Sequence, residues 1–115
     1  MSFNKTSEEA KALWVEALRS GAYKQGHYRL IQIVDNQCAH CVLGVACEIY
    51  QKYERSLNLM EHSVLPHDVS SWLNIHKQGA YHSGGTIELL TRKNDLSRLS
   101  FKELADIIEK AEFVV

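Results

Sequence analysis

The chain has 115 residues, of which 45% are hydrophobic and 23% charged, and its formal net charge is −1. These values exclude a disordered or collagen-like chain and predict one globular domain over residues 1–115. The near-neutral charge also excludes an overall electrostatic attraction to nucleic acid or to anionic membranes.

The sequence predicts a cytoplasmic protein that does not associate with membranes. No stretch approaches the ~18 consecutive apolar residues that a spanning helix needs, and residues 1–10 lack the apolar core of a signal peptide. The three cysteines, Cys38, Cys41 and Cys47, lie close together in the sequence. An odd and crowded set is more typical of thiols or metal ligands than of disulfides.

A first helix is predicted over about residues 7–20. Thr6 and Glu9 have the spacing of a capping box, and Gly21 can end the helix. One face carries a regular apolar stripe of Ala10, Leu13, Trp14, Ala17 and Leu18.

The next elements are a short strand and a second helix. Residues 27–34 are rich in β-branched and aromatic side chains and end at Asp35–Asn36, which predicts a strand followed by a turn. The apolar run that begins at Cys41 suits a buried strand or a buried helix, and its length favours a helix to about Leu57. Gly44 is a predicted point of close approach for a neighbouring element.

Three shorter helices are predicted in the second half of the chain. Pro66 can begin a helix over about 66–75, and a polar loop follows over 76–85. Thr86 can cap a helix to about Asn94, and the capping-box pair Ser100 and Glu103 can begin a last helix to about Glu112. The predicted fold class is therefore α+β and predominantly helical, with four to five helices and one small β element.

Several spaced motifs resemble a known family. Residues 14–26 read W-V-x-A-L-R-S-G-x-Y-x-Q-G, residues 41–47 read C-x-L-G-V-x-C, and Asn94–Asp95 precede the last predicted helix. In this order they closely resemble an uncharacterised family of small proteins encoded by phages, prophages and cyanobacteria. The resemblance implies a setting of infection or mobile elements rather than a reaction. His40 stands where family members usually have a cysteine.

The segment around the cysteines contains the candidate metal ligands. They are Cys38, His40, Cys41 and Cys47. A structural zinc site uses two short-spaced pairs of ligands, and only one short pair is present here. On a regular helix Cys41 and Cys47 would point about 240° apart. Ordinary buried thiols are therefore the favoured interpretation, with zinc and a cysteine nucleophile served by His27 or His40 as alternatives.

Two segments are locally basic. Between Glu16 and Asp35 there is no acidic residue, and the cations of this segment alternate with aromatic side chains, which suits single-stranded nucleic acid. A second cluster contains Arg92, Lys93, Arg98 and Lys102. Together with the polar residues of the family motifs, these segments supply the candidate binding residues, which are Arg19, Tyr23, Lys24, Gln25, Arg29, Asn94 and Asp95. In the structural alternative, Arg19 stabilises a helix end and Asn94–Asp95 form a turn or cap.

Three functional hypotheses follow. The chain has no known catalytic motif, so no catalytic residue is predicted, and non-catalytic binding to a host or defence protein is favoured. The first alternative is a small-molecule or nucleotide-binding protein, acting as a sponge or minor enzyme, with the ligand in a pocket that oligomerisation could complete. The second alternative is a nucleic-acid-binding protein that uses residues 19–29. No cofactor other than zinc is expected.

Overall fold

The computed structural model describes residues 3–58, 65–75 and 85–110, with the backbone alone for residues 85–89. These residues form five helices and a three-stranded sheet, which confirms the predicted α+β, helix-rich class. The elements in chain order are α1 (Ser7–Ser20), β1 (Lys24–Gln25), β2 (Ile31–Val34), β3 (Gln37–His40), α2 (Val42–Tyr53), α3 (His67–Leu73), α4 (Gly85–Asp95) and α5 (Phe101–Lys110).

Helix α1 begins and ends where the sequence predicts. The Thr6 hydroxyl accepts a hydrogen bond from the amide of Glu9 at 3.1 Å, and the Glu9 carboxylate accepts one from the amide of Thr6 at 3.0 Å. Gly21 ends the helix in the left-handed conformation, with φ of 78°. The same reciprocal bonds join Ser100 and Glu103 at the start of α5. Both predicted capping boxes are therefore present.

The β element is larger than the single predicted strand over residues 27–34. That strand begins only at Ile31, because residues 27–30 form a loop in which Tyr28 adopts a left-handed backbone conformation. Strands β2 and β3 pair antiparallel around the predicted Asp35–Asn36 turn, and β1 pairs parallel with β3. Strand β1 has two residues and β3 has no β-branched residue, so neither carries a strong strand signal.

Helix α2 lies at the centre of the fold, and Gly44 is its point of closest approach, as predicted. A Cβ atom on Gly44 would lie 1.8 Å from the carbonyl oxygen of Leu30. The same carbonyl accepts a hydrogen bond from the amide of Cys41 at 3.2 Å. The helix ends at Tyr53 rather than at Leu57. The next residue, Glu54, turns away and accepts hydrogen bonds from the amide of Lys5 and from the indole of Trp72.

The core is built around large aromatic side chains. Trp14, Tyr50 and Trp72 are fully buried, and the rings of Tyr50 and Trp72 meet edge to face at 5.4 Å. The Trp14 indole donates to the carbonyl of Val42 at 2.9 Å, so the first residue of α2 is attached to α1. Helix α1 also packs against α3 and α5.

The remaining helices follow the predictions within two residues where they are described. Helix α3 spans His67–Leu73 against the predicted 66–75, and α4 begins at Gly85, one residue before Thr86. Residues 76–84 of the predicted loop and residues 111–112 of the predicted last helix lie outside the described residues.

Among the described residues, no helix combines the length and the apolar character needed to cross a membrane.

Candidate functional site

Asn94 is the centre of a buried polar network that joins three parts of the fold. Its side chain is fully buried at the end of α4. The Oδ1 atom accepts hydrogen bonds from the side chain of Gln25 at 2.9 Å and from the amide of Val42 at 3.2 Å. The Nδ2 group donates to the carbonyl of Gly26 at 2.9 Å and to the carboxylate of Asp95 at 2.7 Å. All four hydrogen-bonding positions of this amide are therefore satisfied inside the protein.

Asp95 carries the network to the surface. Its carboxylate accepts a hydrogen bond from the backbone amide of Tyr28 at 2.9 Å, and the Asp95 residue is only 6% exposed. The side chain of Tyr28 is 64% exposed, and that of Leu96, which follows Asp95, is 69% exposed. The Gln25 side chain also donates to the carbonyl of Leu99 at 2.8 Å. Residues 96–99 are thus attached to the 25–28 segment at both ends.

Two residues beside this network have an unfavourable backbone conformation. Among the described residues, the non-glycine residues with positive φ are Tyr28, Asp35, Asn36, Asn74 and Arg98. Asparagine and aspartate tolerate this region, whereas other residues lose about 1–2 kcal/mol there. Tyr28 and Arg98, with φ of 70° and 51°, therefore carry the strain. Backbone strain of this kind concentrates at functional sites.

We call the exposed residues Tyr28, Arg29, Leu96 and Arg98 the Tyr28 surface. It lies where Tyr28, from the first basic segment, contacts Asp95 at the end of α4. Residues 17–34 and 96–102 contain no acidic residue. Asp95, which precedes the second range and contacts Tyr28, has a buried and hydrogen-bonded carboxylate. Within the described part of the chain, neither Arg29 nor Arg98 forms an ion pair. This surface is therefore basic although the whole chain has a charge of −1.

The structure brings part of the predicted binding set together. Gln25, Asn94 and Asp95 share the buried network, and Arg29 lies next to Tyr28. Gln25, Asn94 and Asp95 form hydrogen bonds to one another and to backbone groups. These bonds hold the Tyr28 surface in place.

The other predicted binding residues have different partners. The guanidinium of Arg19 pairs with Asp106 at 2.6 Å and with Glu109 at 2.9 Å, which joins α1 to α5. The hydrogen bond and charge of Arg19 lower the pKa of the Glu109 carboxyl. Lys24 lies 4.0 Å from Asp35 across the hairpin.

His40 belongs to a second buried polar cluster. Its ring, in a residue that is 4% exposed, lies 3.0 Å from the carboxylate of Glu48, and Gln51 donates to the other carboxylate oxygen at 2.6 Å. The Tyr23 ring meets the imidazole edge to face at 5.3 Å, and burial together with the Glu48 charge raises the pKa of Tyr23. Within the described residues, Nδ1 of His40 has no hydrogen-bond partner. Sequence reasoning missed Glu48, because its partner lies on a strand and no regular spacing joins them.

The three cysteines occupy different environments. Cys38 is exposed, Cys41 caps α2 by accepting a hydrogen bond from the amide of Gly44 at 3.4 Å, and Cys47 is fully buried. Burial raises the pKa of Cys41 to about 11 and raises that of Cys47 as well. A protonated thiol is a poor nucleophile. Over residues 3–58, 65–75 and 85–110, no three His, Cys, Asp or Glu side chains are grouped to hold a metal ion.

A cleft of about 670 Å³ runs along α1. Its described lining residues are Glu8, Lys11, Ala12, Val15, Glu16, Arg19, Ser20 and Glu109. Of the predicted binding residues, Arg19 alone is among them. The cleft is therefore separate from the network around Asn94.

The sequence indicates the buried residues that hold the Tyr28 surface in place better than it indicates the exposed residues of that surface. Gln25, Asn94 and Asp95 stand out as polar residues in apolar motifs. Leu96 carries no signal, because an isolated exposed leucine is common on protein surfaces. Tyr28 and Arg98 belong to the two basic segments, but no local pattern shows that Tyr28 contacts Asp95 at the end of α4.

Residues 6–112 match the model of a family described as Domain of unknown function (DUF8296). The match includes every helix and strand described above. No curated protein and no solved structure matches the chain.

Proposed function

The chain belongs to the family described as a domain of unknown function (DUF8296), and from that premise we propose that it is an accessory protein that acts by non-catalytic binding to another protein. The Tyr28 surface makes the contact. The observation that carries the proposal is that Tyr28, 64% exposed, is held in a left-handed conformation by the buried carboxylate of Asp95. An exposed aromatic maintained against strain favours a role in binding.

The composition of the Tyr28 surface supports a protein partner. Tyrosine and arginine are enriched among the residues that dominate protein–protein binding energy. The hydrogen bond from the Tyr28 amide to Asp95 and the attachment of residues 96–99 to Gln25 order both loops before binding. Pre-ordered contacts lower the entropy that association loses.

The setting of the proposed interaction is the cytoplasm of a host cell. The motifs in residues 14–26 and 41–47 resemble those of proteins encoded by phages, prophages and cyanobacteria. We therefore propose a host or defence protein as the partner. A chain of 115 residues needs a surface, rather than a catalytic pocket, for such a role.

Site-specific cross-linking tests this function. Tyr28 is replaced by the photo-cross-linker benzoylphenylalanine, and the chain is irradiated in host lysate, with Lys52, an exposed residue of α2, carrying the cross-linker in the control. We expect one protein adduct from position 28 that the control lacks and that excess unmodified chain suppresses. We also expect Tyr28→Ala to weaken binding to that protein about tenfold or more, because truncated hot spots have effects of this size.

Two results would contradict the proposal. One is the absence of any specific protein adduct at position 28. The other is that Tyr28→Ala binds the partner as tightly as the parent chain and the Lys52→Ala control do. The Tyr28 ring would then contribute nothing to binding.

Small-molecule binding is the second candidate function, and the cleft along α1 favours it. Its volume of about 670 Å³ lies in the ~300–1,000 Å³ range of ligand pockets. Apolar Ala12 and Val15 lie among charged side chains there. It ranks second because Tyr23, Gln25, Asn94 and Asp95, which the sequence offers as candidate binding residues, are absent from its described lining.

A further inference from the structure

We infer that the occupant of the Tyr28 surface is an acidic segment of another protein, one that presents an apolar side chain between carboxylates. This inference rests on the proposed protein-binding function and adds the chemistry of the partner. It depends on the charge and composition of the Tyr28 surface. It also depends on which of the nearby side chains already form ion pairs or hydrogen bonds within the chain.

Within the part of the chain that the structure describes, the surface carries positive charge that no ion pair neutralises. Arg29 and Arg98 are exposed, and among the described residues neither side chain has an acidic partner. The nearby carboxylate of Asp95 accepts hydrogen bonds from Tyr28 and Asn94 and is buried. An acidic segment is electrostatically complementary to such a surface. This complementarity speeds association and makes binding more specific.

The chemistry of arginine fits carboxylates in particular. A guanidinium donates two parallel hydrogen bonds to one carboxylate, and it loses less hydration on contact than an ammonium group. The two arginines flank an exposed tyrosine and an exposed leucine along the chain, at Tyr28–Arg29 and Leu96–Arg98. Tyr28 and Leu96 would contact an apolar side chain of the partner. The arginines would donate hydrogen bonds to the carboxylates on either side of it.

Nucleic acid fits the same surface less well. Binding of a single strand uses successive aromatic platforms, yet Tyr28 is the one large aromatic side chain that is exposed in the described part of the chain. Trp14, Tyr50 and Trp72 are all buried. Leu96 offers an aliphatic contact that suits a protein side chain, and two exposed arginines supply few phosphate contacts.

A titration followed by NMR tests the inference on the complete chain. The probes are a short peptide that alternates glutamate with leucine, the same peptide with glutamine for glutamate, and oligo(dT). We expect the acidic peptide to shift the amide signals of residues 27–30 and 96–98, and to bind about tenfold or more tightly than the glutamine peptide. Its affinity should fall as sodium chloride is added, since exposed charges are screened.

Charge-reversed variants provide the matched controls. Arg29→Glu and Arg98→Glu should each weaken binding of the acidic peptide about tenfold, whereas Lys52→Glu should leave it unchanged. The melting temperature of each variant is measured, and the two arginines lie on separate loops, so a folding defect in one variant leaves the other to decide. Equal binding of the two peptides, or binding of oligo(dT) in place of the acidic peptide, would overturn the inference.

The cross-link at position 28 separates this inference from the proposed function. A specific protein adduct whose contacted segment lacks acidic residues, with a yield that Arg29→Glu does not alter, would refute the acidic partner and leave the binding function standing. The absence of any protein adduct would refute the binding function itself.

Discussion

At the scale of single residues, the informative feature is which side chains adopt positive φ. Asp35 and Asn36 do so in the hairpin turn, and Asn74 does so at the end of α3. These residue types form local hydrogen bonds that compensate for the conformation. For Tyr28 the compensation is long-range, a hydrogen bond from its amide to the carboxylate of Asp95. Arg98 lies in the turn that ends α4, where the amide of Leu99 donates to the carbonyl of Lys93 at 3.0 Å.

Arg98→Gly should therefore increase stability. Relief of about 1–2 kcal/mol of left-handed strain exceeds the ~0.5–1 kcal/mol that the greater backbone freedom of glycine costs. We expect the free energy of unfolding to rise by about 0.5–1 kcal/mol, measured by urea denaturation. Ser97→Gly, at a neighbouring position with ordinary φ, should produce no such gain. A loss of stability in Arg98→Gly would mean that its conformation is not strained.

At the scale of elements, the helix ends follow from the sequence and the contacts between elements do not. Thr6 with Glu9 and Ser100 with Glu103 form their capping boxes within one turn of chain, so spacing alone predicts them. Gly44 is different. Its position in an apolar run indicated a close approach, but only the folded chain shows that the Leu30 carbonyl lies there.

Gly44→Ala should destabilise the fold, although alanine normally favours a helix interior over glycine. The new Cβ would overlap a backbone carbonyl, which cannot move without displacing the loop before β2. We expect a loss of about 1–3 kcal/mol, the usual range for overpacked cores, measured by urea denaturation. Lys52→Ala, at an exposed position of the same helix, should stay within about 0.5 kcal/mol of the parent. A stable Gly44→Ala protein would contradict the close contact of α2 with Leu30.

At the scale of the whole molecule, one hydrogen-bond network joins residues 25–28 to residues 94–95. The amide of Tyr28 reaches the Asp95 carboxylate across 67 positions of sequence. The side chain of Asn94 connects α4 to the start of α2 and to the residue after β1. As a consequence, Tyr28 and Arg29 lie beside the residues that follow α4. The ion pairs of Arg19 join α1 to α5 in a similar way.

The reactivity of the three thiols should report on the whole fold. Cys38 is exposed and should react with iodoacetamide in the native state, whereas Cys47 is fully buried and should react only when the chain unfolds. For Cys41, burial raises the pKa to about 11, so its thiolate, and hence its reaction rate, should increase as the pH approaches that value.

Trypsin leaves all three cysteines on one peptide, residues 30–52, so fragmentation of that peptide by tandem mass spectrometry measures the rate at each cysteine. Unfolded chain in denaturant provides the control, since all three thiols should then react at similar rates. Equal rates for Cys38 and Cys47 in the native protein would show that the core around α2 opens freely, contrary to its packing.

The sequence by itself determined the helix-rich class, both capping boxes and the turn at Asp35–Asn36, because these depend on residues within a few positions of each other. It indicated a close approach at Gly44 but not that the neighbour is Leu30. It also singled out Gln25, Asn94 and Asp95. Only the tertiary structure decided what they do. Their hydrogen bonds join residues far apart in the chain, and no local pattern specifies which distant carboxylate will hold Tyr28 in an unfavourable conformation beside Leu96. Those long-range contacts form when the helices pack, and the basic surface exists only after they have formed.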